Sequence, residues 1–438
     1  MSSSPSTFAS NTIQKFQSIC LVFGPISNDS TKLVISKPEK SIGKMKGRRA
    51  IPLNTLIGQE FDYWYEYKMS ENKWVQMDHF PYANKEHDDE GASASMDDED
   101  LANEVNNATI ADDNQAQALS ATEITKLRDE TTSSSELIQK IAANSNTFQK
   151  KTKFSKEKYM RKKKQKYDLY AFVQRPTMDL IARTSFMKKA SKIAYLRWDT
   201  LAQLIYNAAI KSGSNVMVLS TCHGLVPAAL FDRFRDDIRL YRLFPDSRSI
   251  HANMNCIEHL HSYQPHKYVA DEDELHKQNP DVKYVFPQDL KRNTVFHMPM
   301  GYFDATMKDK HLPFDYYPPL IKQFEDETID CMIIATDEYN VEEWFPKMYA
   351  KLTKGGNFAV YSRFMKPLES LFWRLREVAT CVEMYETWWR DYQVLKNRTH
   401  PKMVMNNCSG YVCHGVKIEE WDANVANFGL DDEDEMQD

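Results

Sequence analysis

NVMVLSTCHGLVPAAL, residues 215–230, decides the fold. Asn215 to Ser220 is a short apolar run that reads as a strand buried on both faces. AALFDRFR (228–235) follows with a helical pattern, so the stretch is one strand–turn–helix unit. Downstream the alternation repeats. IRLYRLF (238–244) and IDCMIIA (329–335) are strands, and FAVYS (358–362) is another. Between the last two, VEEWFPKMYAKL (341–352) lines up Val341, Trp344, Phe345, Met348, Tyr349 and Leu352 on one helical face and stops at Gly355-Gly356. Upstream, WDTLAQLIYNAA places Leu201, Leu204, Ile205 and Ala208 on one face, with Asp199 as the predicted cap. Strands alternating with helices predict a doubly wound, mostly parallel sheet. No internal repeat is present.

A doubly wound domain that holds a nucleotide-like cofactor needs a glycine-rich turn after its first strand and a carboxylate after its second. A base methyltransferase adds a polar or acidic residue at the end of the fourth. Here the first turn, Thr221-Cys222-His223-Gly224, has one glycine. The second strand presents Leu243 and Phe244, and the fourth ends on Ala335 with Asp337 two residues on. These three departures predict a degenerate site at Thr221, Cys222, His223, Gly224 and Ala335, with no cofactor and no catalytic residue. His223 lacks an acid or nucleophile at useful spacing and reads as a loop histidine. No G-x-S-x-G, Walker loop or H-E-x-x-H occurs.

The first eighty residues read as all-β. SICLVF (18–23), KLVIS (32–36), FDYWYEY (61–67) and KWVQM (73–77) are separated by turn-formers, with hairpin turns expected at Asn28-Asp29-Ser30 and Glu71-Asn72. A small barrel or sandwich follows. From about Lys85 to Lys140 aromatics vanish, and a largely disordered insertion with at most one transient helix near 121–140 is expected. YDLYAFVQRP (167–176) then reads as a strand ending at Pro176.

Charge is segregated along the chain. The net charge is −6, yet residues 86–113 hold eleven Asp/Glu and residues 431–438 six, with no Lys/Arg in either tract. Without them 56 basic side chains face 45 acidic ones, so the body is basic, which favours a nucleic-acid partner over a membrane. No run reaches the roughly 18 apolar residues of a membrane span, and no secretory signal opens the chain, so a soluble chain is expected. The seven cysteines form no CxxC pair, and Cys408, Cys413 and His414, the one metal-like grouping, read as small buried residues rather than a metal site. A reducing compartment is expected.

The densest basic run is KFSKEKYMRKKKQKY, 153–167, in which eight of fifteen residues are Lys or Arg. Lys153, Lys156, Lys158, Arg161, Lys162, Lys163, Lys164 and Lys166 suit a phosphate backbone, with Tyr159 and Tyr167 packing or stacking beside them. A solvated face and a nuclear-import signal are the other readings of RKKKQK. The second patch is WWRDYQVLKNRTHP (388–401). Arg390, Lys396 and Arg398 are phosphate donors there, and Tyr392 and Trp389 are candidate stacking rings. For Trp388 core or subunit interface is the simpler expectation.

TKFSKEKYMRKKKQKY (152–167), LRWDTLAQL (196–204), TCHGLVPAAL (221–230) and ETWWRDYQVLKNRTHPKMVMNNCSGYVCHG (386–415) together resemble the non-catalytic subunit of the eukaryotic tRNA (adenine-58-N1) methyltransferase. The resemblance implies an N-terminal β-barrel joined to a Rossmann-like, methyltransferase-type domain that no longer binds S-adenosylmethionine. It also implies a catalytic sister subunit, a heterotetramer with two copies of each chain, a tRNA gripped across both, and a nuclear location. Arg390, Tyr392, Gln393, Lys396 and Arg398 then join the basic run as tRNA-binding residues. So do Asn407, Ser409 and Gly410, although Asn406-Asn407-Cys408-Ser409-Gly410 replaces a more glycine-rich turn of the relatives. The expected organisation is a barrel over 1–85, the acidic insertion over 86–145, a basic connector over 146–190, the Rossmann-like domain over 191–430 and an acidic tail over 431–438. Two other functions remain open: an active S-adenosylmethionine-dependent RNA methyltransferase, and an interaction scaffold without RNA contact.

Overall fold

The computed structural model describes residues 11–23, 32–42, 51–68, 71–78, 118–130, 134–148, 156, 159–160, 163, 170–234, 237–244, 254–261, 295–303, 317–395, 398–403, 405 and 407–421. The chain divides into two compact units, Met1–Pro176 and Thr177–Asp438.

In the first unit, β1 (Ile19–Phe23), β2 (Lys32–Ser36), β5 (Tyr63–Lys68), β6 (Lys73–Gln76) and β7 (Tyr170–Gln174) form an antiparallel sheet in the order β2-β1-β7-β5-β6. The ribbon β3 (Ser41–Ile42) and β4 (Ile51–Pro52) adds Ile42 and Ile51 to the core of Leu21, Phe61, Tyr65, Trp74 and Val173. The β5–β6 turn forms as expected, with Asn72 at φ +52° and its side-chain oxygen bonded by the Tyr67 hydroxyl. The Asn28-Asp29-Ser30 turn lies outside the described residues.

Two boundaries differ from the sequence expectation. β7 sits between β1 and β5, so the segment expected as a connector supplies the middle strand of this sheet. Its alternating burial and two paired edges explain the placement. The 121–143 stretch, expected to hold at most one transient helix, carries two: α1 (Ala121–Glu130) and α2 (Ser134–Ala143). A reciprocal cap starts α1. The Glu123 carboxylate accepts from Ser120 N at 2.8 Å and Glu123 N donates to the Ser120 hydroxyl at 3.2 Å. Leu137, Ile138 and Ile141 are then buried with Ile124, Leu127 and Met160 against them, enough apolar contact to hold both helices.

The second unit has a seven-stranded sheet. Its strands are β8 (Asn215–Ser220), β9 (Arg239–Phe244), β10 (Val295–Pro299), β11 (Ile329–Ala335), β12 (Leu352–Ser362), β13 (Ala379–Trp388) and β16 (Cys408–Lys417). β14 (Tyr392–Leu395) and β15 (Arg398–Pro401) make a separate hairpin. The order is β10-β9-β8-β11-β12-β16-β13, parallel through β12, with β16 antiparallel to both neighbours. The helices are α3 (Met178–Lys189), α4 (Trp198–Asn207), α5 (Leu225–Phe234), α6 (Tyr317–Asp326), α7 (Val341–Tyr349) and α8 (Lys366–Val378). The chain winds outward from β8 through β9 to β10, then returns to β11, so the topological switch point lies between β8 and β11. The expected domain start at 191 moves upstream because Thr177 caps α3, accepting from Leu180 N, within this unit.

Gly355-Gly356 does not stop α7. The helix ends at Tyr349, and both glycines lie inside β12, where the β11–β12 register shifts and Gly355 takes φ +81°. A Cβ on Gly356 would come within 2.9 Å of three neighbouring atoms, so the glycine permits a bulge, not a cap. Among the described residues no helix is long and apolar enough to cross a membrane.

Candidate functional site

The switch-point crevice opens where β8 and β11 end, and its walls touch. The Thr221 hydroxyl oxygen lies 3.2 Å from the Thr336 hydroxyl and 3.2 Å from Asp337 Oδ1, and Asp337 N–H donates back to it at 3.4 Å. Thr221 N and the Cys222 thiol both donate to the Ala335 carbonyl, at 3.1 and 3.4 Å. Thr221, Cys222, Ala335 and Thr336 are all buried. Burial without a compensating cation pushes the Cys222 thiol well above its usual range, so it carries no thiolate. His223 and Gly224 take φ +52° and +77° and turn the chain into α5, with His223 Nδ1 3.1 Å from Asn255 Oδ1. The sequence-predicted residues therefore do meet here: Thr221 and Cys222 bond to Ala335, and His223 and Gly224 form the turn into α5. At the end of β9 Leu243 and Phe244 are buried in the core; residues 245–253 lie outside the described residues.

A methyl donor needs backbone N–H groups facing an open turn and a carboxylate for its ribose. Side-chain oxygen and sulfur stand in the turn instead, and Asp337, two residues past the end of β11, is engaged by Thr221. The described residues at this crevice do not fit the donor. Nor, among the described residues, do three or more His, Cys, Asp or Glu side chains gather as for a metal. Cys413 is buried, Cys408 half-buried and His414 sits within β16.

At the same edge of the sheet, the connection from β13 to β16 carries the second predicted patch. Its foundation is Arg197, 3% exposed, whose guanidinium binds both oxygens of Asp199 at 2.5 and 2.9 Å. Asp199, the expected cap, does not occupy the cap position. Instead Arg197 occupies the cap position without a side-chain cap bond, and Asp199 lies in the first turn as its counter-ion. Arg197 Nη1 also donates to the Asn407 carbonyl at 3.1 Å, which takes Trp389 N at 2.9 Å as well. The Ser409 hydroxyl accepts from Arg197 N and donates to the Tyr195 carbonyl, both at 3.0 Å. Gly410 has φ +122°, and a Cβ there would lie 2.6 Å from the Ser362 carbonyl. Buried Ser409 and Gly410 are thus engaged inside the protein and anchor the connection.

Beyond that anchor the surface is aromatic. Trp388 is 62% exposed, Trp389 40% and Tyr392 56%, so Trp388 is not core. It follows the β-bulge at the end of β13, where alternation breaks and the ring points to solvent. Trp389 Nε1 donates to Asp391 at 2.7 Å, and Lys402 bonds the other oxygen at 2.9 Å. Burial pushes the Asp391 carboxyl up, but these bonds and the charge of Arg197 outweigh it and hold the group below its usual value. Arg390 is half-buried beside them, and the β14–β15 hairpin bears Gln393 and Arg398; Lys396 lies outside the described residues. In the basic run, Lys156 and Lys163 are described and half-buried, whereas Lys153, Lys158, Arg161, Lys162, Lys164 and Lys166 lie outside the described residues. Tyr159 is a packing residue: its ring meets Phe148 at 5.1 Å between centroids, and Lys163 Nζ sits 5.0 Å from its centroid.

The family model described as Gcd10p matches residues 12–294. The chain is 24% identical over 371 residues to the tRNA (adenine(58)-N(1))-methyltransferase non-catalytic subunit TRM6 of Mus musculus, covering 72% of this chain and 74% of that protein. It is 24% identical over 425 residues to the tRNA (adenine(58)-N(1))-methyltransferase non-catalytic subunit trm6 of Dictyostelium discoideum, covering 89% and 77%. Among solved structures, a SAM-dependent O-methyltransferase from Thermotoga maritima aligns at a TM-score of 0.46 and 11% identity, over 93% of this chain and 96% of that one.

Proposed function

This chain belongs to the Gcd10p family, and from that premise we propose that it is the non-catalytic, tRNA-binding subunit of a tRNA (adenine-58-N1) methyltransferase complex. It holds tRNA in place while a catalytic sister subunit transfers the methyl group. The carrying observation is the switch point, where the Thr221 hydroxyl bridges to Thr336 and Asp337 and Ala335 ends β11. A doubly wound domain uses that crevice for its ligand; here side chains occupy it. What remains for such a chain is surface, and the body of this one is basic once its two acidic tracts are set apart.

Several finer points belong to this reading. The N-terminal sheet is the expected small barrel, supported by the β3–β4 ribbon sharing one core with β1, β5 and β7. The basic run over 153–167 lies along tRNA phosphates, and RKKKQK also directs the chain to the nucleus. Two copies each of this chain and its sister form a heterotetramer.

The test is reconstitution. This chain, its sister and the two together are purified, and each is assayed for tRNA binding and for methyl transfer to adenine 58. The expected result is transfer only with both chains, and tighter tRNA binding by the pair. Transfer by this chain alone would refute the reading, and so would full activity of the sister without it.

A further inference from the structure

We propose that Arg363, clamped between the rings of Tyr195 and Phe364, is a recognition platform for an unpaired RNA nucleotide, its guanidinium taking a phosphate and the exposed Phe364 ring stacking a base. The inference rests on the tRNA-binding reading and assigns it a residue that reading did not contain.

Arg363 leaves β12 immediately after Ser362, on the carboxyl edge of the sheet that also carries the closed crevice and Trp388. Its guanidinium carbon lies 3.6 Å from the Tyr195 ring centroid and 5.3 Å from that of Phe364. A guanidinium held over a ring has already given up much of its rotamer freedom, and because Arg363 is exposed its N–H donors remain accessible to a planar anion. Among the described residues no carboxylate pairs with it. The site is open: Arg363 and Met365 are exposed and Phe364 is 60% exposed.

The backbone beneath is arranged to hold this geometry. Ala194 and Tyr195 are consecutive non-glycine residues in the left-handed region, φ +51° and +57°. L-residues adopt it uncommonly, at helix caps and turns as well as at ligand clamps, and Ala194 caps the short helix Ala190–Ile193. Here the Tyr361 hydroxyl sits 2.9 Å from the Ala194 carbonyl and 2.5 Å from that of Ser409. The Ser409 hydroxyl donates to the Tyr195 carbonyl, and Tyr195 N donates to Ala190 O at 2.9 Å. Gly410, where no Cβ fits, lets β16 start close enough for these bonds.

Charge and shape favour RNA over a protein surface. Along the same edge the exposed rings of Trp388, Trp389 and Tyr392 flank the half-buried Arg390. A single-stranded nucleotide supplies both a π-face and a negative charge to such a surface.

The test uses the complex with the sister subunit, comparing wild type, Arg363→Ala, Arg363→Lys and Phe364→Ala. Dissociation constants for tRNA are read across a salt series, and assembly is read by light scattering on a sizing column. Arg363→Ala is expected to weaken tRNA binding about tenfold and to lower the salt slope by about one. Arg363→Lys should keep the slope but recover only part of the affinity, and Phe364→Ala should lose affinity with the slope unchanged. Wild-type binding with an unaltered Arg363→Ala would overturn the site alone. No tRNA binding by the wild-type complex would overturn the functional reading and this site with it. Loss of the sister subunit from Arg363→Ala would make the patch a protein interface and overturn the proposal.

Discussion

Removing the Arg197 side chain is the sharpest structural perturbation available. Arg197 and Asp199 side chains are 4% and 12% exposed and share two bonds. The third guanidinium nitrogen holds the Asn407 carbonyl. Arg197→Ala would leave the Asp199 carboxylate buried without its cation, and breaking a buried pair from one side costs about 3–5 kcal/mol. For a domain of this size each kcal/mol moves the midpoint by roughly 2–4 °C, so the drop should be on the order of 10 °C. The double change Arg197→Met with Asp199→Leu removes both charges and should regain most of the loss, because the desolvation penalty disappears with the pair. Calorimetric melting of the purified complex measures both. An Arg197→Ala complex melting within a degree or two of wild type would refute the reasoning, as would a double variant no more stable than the single one.

Three further outcomes can be measured. Replacing Arg161, Lys162, Lys163, Lys164 and Lys166 by Glu should weaken tRNA binding by the complex and flatten its salt dependence, whereas unchanged affinity in a salt titration would reject the assignment of that run. Gly410→Ala should destabilise by about 3 kcal/mol, since its Cβ meets the Ser362 carbonyl at 2.6 Å and a Tyr361 ring carbon at 2.8 Å with φ at +122°; a melt like wild type would contradict the backbone geometry. Burial lowers the pKa of His414, outweighing the opposing pull of Glu383. The unfolded chain then binds the proton more readily, so stability is full above about pH 6.5 and falls as pH drops through the lowered folded value. His414→Gln should flatten that limb of a pH–melting curve.

The second unit was legible because its strands are short apolar runs set between helical stripes: β8, β9 and β11 and helices α4 and α5 lie where periodicity puts them, while α7 ends at Tyr349 and β12 begins at Leu352, earlier than expected. β13 escaped because its burial alternates unevenly around bulges and half of it faces solvent. β7 read correctly as a strand, but its partners β1 and β5 are distant in sequence, and pairing over such a separation leaves no local trace. The helices at 121–143 had a visible signal in Ser120-Ala-Thr-Glu123 and the apolar spacing of 137, 138 and 141, outweighed in reading by the surrounding composition. At the switch point the lost glycines and acid were readable, because residue type alone decides whether a backbone can approach a ligand. The engagement of Ser409 and Gly410 was not, since it depends on Arg197, Tyr195 and Tyr361, which only the fold brings beside them. Arg363 drew no notice in sequence for the same reason: Tyr195 lies far from it along the chain.

The most direct test is titration of S-adenosylmethionine into this chain purified alone, followed by calorimetry. Side chains bonded across the mouth between β8 and β11 predict no heat of binding up to millimolar donor. Saturable binding at micromolar donor or tighter, abolished by blocking the turn at Gly224, would contradict the account.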